Sequence, residues 1–129
     1  FLVTRFCLPG MLEAGDGKII NVASQLGFKG AEELTHYCAA KGGVIGFTRA
    51  LAREVSPTVT VNAIAPGPIE TDLLGDLSAE WRAAKEAELP MGRLGQVDDV
   101  VPTAVFLAGP GSDYYTGQVL SPDGGDAMH

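Results

Sequence analysis

The 129 residues allow one domain, and 46% apolar against 19% charged residues allow a packed core. A net charge of −7, with Lys and Arg neither in excess nor clustered, argues against a nucleic-acid role. No apolar run reaches the ~18 residues of a membrane span. Cys7 and Cys38 are too few for a disulfide framework, so reduced thiols and a cytoplasmic location are expected.

Residues 1–14 read FLVTRFCLPGMLEA. The apolar spacing of Phe1, Leu2, Phe6, Leu8 and Leu12 predicts the end of a helix, disturbed by Pro9-Gly10. Gly15-Asp16-Gly17 is a turn signal. Lys18 to Ser24 predicts a strand. Its run Ile19, Ile20, Val22, Ala23 lacks clean alternation, as in a parallel strand covered on both faces. Ser24 ends that strand at the rim of the sheet, where α/β ligand sites lie. A loop follows to Thr35. Gln25 and Leu26, directly after Ser24, serve either substrate contact or loop packing.

A long helix is predicted from Tyr37 to about Ser56, on the period of Val44, Ile45, Phe47, Thr48, Leu51, Ala52 and Val55. Gly42, Gly43 and Gly46 each cost this helix ~1 kcal/mol relative to Ala. Close approach of another backbone or a cofactor ring would repay that. Pro57 ends the helix, and Val59 to Ala65 is the next buried strand.

Pro66-Gly67-Pro68-Ile69-Glu70-Thr71-Asp72 lies past that strand, again at the ligand edge. Two prolines stiffen it and Gly67 permits close approach. Leu73 to Leu94 reads as a lid, with Ser78 capping a short helix through Leu89. Leu77, Trp81, Leu89 and Met91 are its candidate apolar lining. Arg82, Lys85, Glu86 and Glu88 read as a solvated face. A helix follows from about Val97 to Ala108, with Asp98 and Asp99 at the positive end of its dipole. Val101, Ala104, Val105, Phe106 and Leu107 are its expected buried surface.

Ser24, Tyr37 and Lys41 form a chemical set. Tyr37 and Lys41 are four residues apart and share a helix face. A free phenol titrates at ~10, and a nearby cation lowers that value. Such a Tyr becomes a usable general acid or base. A Ser hydroxyl can hold a reacting oxygen as charge develops on it.

NVAS, thirteen residues from Ser24 to Tyr37, YCAAKGGVIGFTRALARE and then VNAIAPGPIETD together resemble the short-chain dehydrogenase/reductase superfamily. Within it the chain most resembles 3-oxoacyl-(acyl carrier protein) reductase-like members. The resemblance runs through essentially all 129 residues. It implies an α/β fold: the C-terminal half of a Rossmann-type doubly wound parallel sheet, in three α/β/α layers. The glycine-rich half that cradles the dinucleotide pyrophosphate would be absent, as would a catalytic Asn expected upstream of Phe1. The connector Ser56-Pro57-Thr58 looks one residue shorter than is usual in the family.

The resemblance also implies a function. The protein would be an NAD- or NADP-dependent oxidoreductase interconverting a ketone and a secondary alcohol, with a 3-oxoacyl thioester the nearest substrate. Ser24, Tyr37 and Lys41 would be catalytic. Tyr37, Lys41, Pro66, Gly67, Ile69 and Thr71 would hold the cofactor, with the Ile69 backbone at the carboxamide. Ser24 and Gln25 would meet the substrate. The glycine-bearing helix would pack on its symmetry mate in a homodimer or homotetramer, with no nucleic-acid or membrane partner.

Two rivals are weak. His36 and His129 with two isolated Cys lack zinc-ligand spacing. No G-x-S-x-G marks a Ser hydrolase. The stronger rival is a non-catalytic remnant that keeps the family's subunit surface.

Overall fold

A computed structural model describes residues 1–75 and 77–128. Asp76, inside the predicted lid, and His129, weighed above as a zinc ligand, lie outside the described residues. The chain opens with helix α1 (Leu2–Ala14), strand β1 (Gly17–Val22), a short helix α2 (Leu26–Lys29) and the long helix α3 (Thr35–Val55). Strand β2 (Val59–Ile64), helices α4 (Ala79–Glu88) and α5 (Val97–Ala108), and strand β3 (Val119–Leu120) follow. Single 3-10 turns occupy Asp72–Leu74 and Pro110–Ser112.

The strands form one parallel sheet in the order β1-β2-β3. Gly17 pairs with Val59 and Val22 with Ile64, while Ala63 and Ile64 pair with Val119 and Leu120. β2 is central and almost wholly buried; β1 is an edge strand, half-buried, with Val22 60% exposed. Side chains alternate between faces. Ile19, Val59 and Val61 meet α1 and α3 through Leu8, Met11, Phe47, Leu51, Ala52 and Val55. On the other face, Lys18 reaches Ser112 and Asp113 just past α5. The result is an α/β chain of three layers.

Two asparagines lock the sheet, Asn62 buried and Asn21 half-buried. Asn62 donates to the Tyr115 carbonyl at 2.8 Å and accepts from the Gln118 N–H at 3.0 Å, so it fixes the chain entering β3. Asn21 donates to Thr48 Oγ1 at 2.9 Å, tying β1 to α3.

Several boundaries differ from expectation, each for a local reason. α1 runs through Pro9 unbroken, because Leu8 and Met11 are held on the core. It stops at Gly15, whose φ of 75° lets its N–H and that of Asp16 cap the Leu12 and Met11 carbonyls. β1 ends at Val22 rather than Ser24. Ala23 still donates to the Ile64 carbonyl, but Ser24 Oγ accepts the Leu26 N–H and starts α2 inside the predicted loop.

α5 has the expected span, yet Val101 and Val105 are exposed, in line with Val97. A 100° turn per residue puts those three along one stripe of the helix, turned away from buried Leu107. Of the predicted lid lining, only Leu89 is buried; Met91 is exposed, and Leu77 and Trp81 are each 38% exposed. Arg82 and Lys85 are not a solvated face. Arg82 pairs with Glu70 and donates to the Leu74 carbonyl, while Lys85 turns inward to Asp126.

Candidate active site

The carboxyl ends of β1 and β2 gather the predicted residues. α3 begins at Thr35, so Tyr37 and Lys41 stand on its first two turns, one turn apart. Lys41 Nζ lies 5.7 Å from the centre of the Tyr37 ring, within cation–π range, and donates to the Val22 carbonyl at 3.0 Å. That carbonyl is the last of β1, two residues before Ser24. The ammonium therefore bridges the phenol and the strand that presents the hydroxyl.

Close packing keeps α3 there. A Cβ on Gly27 would stand 2.9 Å from the Lys41 carbonyl carbon and 3.0 Å from the Gly42 nitrogen. Only a glycine lets α2 lie this near the helix. A Cβ on Gly42 would stand 3.4 Å from the Gly27 oxygen, an ordinary contact, so the demand for a glycine falls on Gly27. A Cβ at Gly43 or Gly46 meets nothing within 4 Å among the described residues.

Ser24 is 7% and Gln25 5% exposed. Ser24 Oγ is 2.8 Å from Gln25 Oε1, and Gln25 Nε2 is 2.7 Å from Asp126 Oδ2. The other oxygen of Asp126 receives Lys29 at 2.8 Å and Lys85 at 2.7 Å. Burial alone would raise the Asp126 carboxyl; hydrogen bonds from Lys29, Lys85 and Gln25 outweigh it and hold the group below its ordinary range. Burial likewise opposes the Lys85 charge, and its bonds to Asp126 and Glu88 raise that group above the ordinary lysine value.

Asp126 was not legible as a site residue. It follows a glycine pair near the end of the sequence, and nothing in that spacing says that three donors from distant segments meet there.

The loop after β2 lies beside this set. Gln25 N–H donates to the Pro66 carbonyl at 3.2 Å, and Gly67 N–H to that of Pro122. The close approach that Gly67 permits is made by Asp123 of the same chain. Pro68 and Glu70 bond Gly95 on either side of Ile69. The Ile69 N–H finds no acceptor among the described residues. Thr71 is exposed, its hydroxyl making only a 3.4 Å bond to the Ile69 carbonyl. A backbone donor without an acceptor among the described residues and an exposed, weakly bonded hydroxyl at the carboxyl edge of a parallel sheet fit a nicotinamide carboxamide. The ammonium of Lys41 fits a ribose hydroxyl.

Residues 1–126 match the family model described as Enoyl-(Acyl carrier protein) reductase. The chain belongs to the short-chain dehydrogenase/reductase superfamily. It is 46% identical over 129 residues to the 3-oxoacyl-[acyl-carrier-protein] reductase of Vibrio harveyi, covering 99% of this chain and 53% of the relative. Among solved structures it resembles a gluconate 5-dehydrogenase from Burkholderia cenocepacia in complex with NADP and tartrate. The TM-score is 0.94 at 34% identity, covering 98% of this chain and 51% of that one. It also resembles a 3-oxoacyl-[acyl-carrier protein] reductase with bound NAD from Brucella melitensis. There the TM-score is 0.89 at 38% identity, with 98% and 47% coverage. The chain thus spans about half the length of the superfamily members it matches.

Proposed function

We propose that the protein acts in an NAD- or NADP-dependent oxidoreductase that interconverts a ketone and a secondary alcohol, with 3-oxoacyl thioesters as the substrate class. The observation that carries this reading is Lys41, placed between the Tyr37 ring and the last carbonyl of β1, that of Val22, two residues before Ser24 in the chain. The name of the Vibrio harveyi relative supports the substrate class. Residues 1–129 supply the Ser/Tyr/Lys part of a Rossmann-type domain; a glycine-rich part completes it.

When bound, the nicotinamide supplies the hydride. Tyr37 gives its phenolic proton to the substrate oxygen in reduction and takes it back in oxidation. Ser24 holds that oxygen as it gains charge. Lys41 keeps positive charge beside the phenol and bonds the ribose. The Ile69 N–H and Thr71 hydroxyl orient the carboxamide, while Pro66 and Gly67 shape the wall behind it. Gln25 borders the substrate through Ser24.

The test is oxidation of reduced nicotinamide cofactor by the purified protein joined to its glycine-rich part, offered a 3-oxoacyl thioester or a keto-sugar acid. Thioester-dependent oxidation that Tyr37→Phe abolishes is expected. No turnover with either substrate, in a folded and cofactor-binding protein, would favour the non-catalytic remnant.

A further inference from the structure

Asp126 gathers three donors from two separate segments, the start and end of the α2 turn and helix α4. Gln25 comes from the turn after β1, Lys29 from α2 and Lys85 from α4. The Asp126 side chain is only 5% exposed. The chain around it is held firmly. Asp123 accepts the N–H groups of Gly125 and Ala127, Gly124 accepts that of Met91, and Gly125 rests on Pro90. Asp126 therefore presents its two oxygens in fixed directions.

Those directions have a consequence for Ser24. An ionised carboxylate only accepts hydrogen bonds. Gln25 must then turn its amide nitrogen to Asp126, which leaves its carbonyl oxygen facing Ser24. A carbonyl oxygen also only accepts, so the Ser24 hydroxyl must be the donor in that 2.8 Å bond. Ser24 Oγ already accepts the Leu26 N–H at 3.2 Å. Every polarity in the chain from Asp126 to Ser24 is thus determined. The hydroxyl proton that would stabilise a substrate oxygen is directed at Gln25, and substrate must draw it away.

We propose that Asp126 is a positioning residue that sets the direction of the Ser24 hydroxyl through Gln25, while Lys85, on the other carboxylate oxygen, ties the lid helix α4 to the same junction. The inference rests on the reading of Ser24 as the group that holds the reacting oxygen. It assigns Asp126 no contact with substrate or cofactor.

Asp126→Asn is the discriminating variant, because it keeps the shape and changes one polarity. Lys29 and Lys85 require an oxygen on their side, so the new amide nitrogen faces Gln25. Gln25 must then flip, giving its oxygen to the new donor and its nitrogen to Ser24. The Ser24 hydroxyl is released to donate outward. Lys85→Met is the complementary variant: it frees α4 and leaves the Gln25–Asp126 bond in place.

Two readouts separate the proposal from the reading beneath it. The first needs no activity: the side-chain amide resonances of Gln25 in nitrogen-labelled protein, assigned with Gln25→Ala. Asp126→Asn should move them and speed their exchange, while Lys85→Met should leave them near their original positions. The second is turnover in the active protein. Releasing one net hydrogen bond on the hydroxyl should raise kcat by about fivefold in Asp126→Asn, with KM little changed. Lys85→Met should raise KM instead. Gln25 resonances that are the same in wild type and Asp126→Asn would overturn the proposal. A Gln25 response with turnover unchanged in both Asp126→Asn and Ser24→Ala would uphold the coupling and overturn the reading of Ser24.

Discussion

Gly67 and Asp123 approach so closely that a Cβ on Gly67 would sit 2.6 Å from the Asp123 Cα and 2.7 Å from its carbonyl oxygen. Both neighbours are backbone, so neither can swing away. The contact seats the loop after β2 against the turn that carries Asp126. Gly67→Ala should therefore force the two segments apart and cost about 1–3 kcal/mol, as overpacking does elsewhere. Thermal unfolding measures it. An unchanged midpoint would show that this seat is softer than its geometry.

Gly43 and Gly46 behave in the opposite way. Open space stands over both, so nothing among the described residues demands a glycine there. Gly46→Leu should leave the fold intact, with a native circular-dichroism spectrum. If the helix face meets a second copy of the chain, as proposed for a homodimer or homotetramer, the same change should shift sedimentation to monomer. Unaltered association in a folded variant would remove this face from the interface.

The junction at Asp126 also gives stability a pH dependence. The folded carboxyl titrates below its ordinary value of 3.8, so its contribution is present above that pH and is lost as pH falls through the depressed folded value. Lys85 titrates above its ordinary 10.5, so its contribution is present below that pH and is lost as pH rises through the raised folded value. The stability difference between wild type and Asp126→Asn should be flat between about pH 4 and about pH 10 and narrow on either side. Urea midpoints across that range measure it. A difference that stayed constant down to acid unfolding would contradict the assignment.

Much of the architecture was legible because its signals are local. The Ser78 cap, the full span of α5 and the apolar period of α3 are each written within a dozen residues. The parallel pairing of β1 and β2 follows from their unbroken apolar runs. The placement of Tyr37 and Lys41 on one helix face follows from a spacing of four. Contacts between distant segments were not legible. Lys85 looks like a solvated charge until Asp126 is brought beside it, forty-one positions away. Val101 and Val105 look like core residues until the sheet is seen to take the other face of α5. Gly67 was legible as a point of close approach, but its neighbour Asp123 was not. A sequence reports periodicity and capping well, and tertiary partners of single polar residues poorly.

The role proposed for the Tyr37 phenol is decided by Tyr37→Phe, in the protein joined to its proposed glycine-rich part, with reduced nicotinamide cofactor and a 3-oxoacyl thioester. The phenol oxygen is lost, while the ring beneath Lys41 and the cofactor-facing loop remain. The variant's kcat should fall by at least ~10²-fold, the loss expected for a general acid. Cofactor affinity, read by fluorescence, should change little, whereas Lys41→Met should weaken both turnover and cofactor binding. A Tyr37→Phe protein that turns over normally across the pH range would contradict the account.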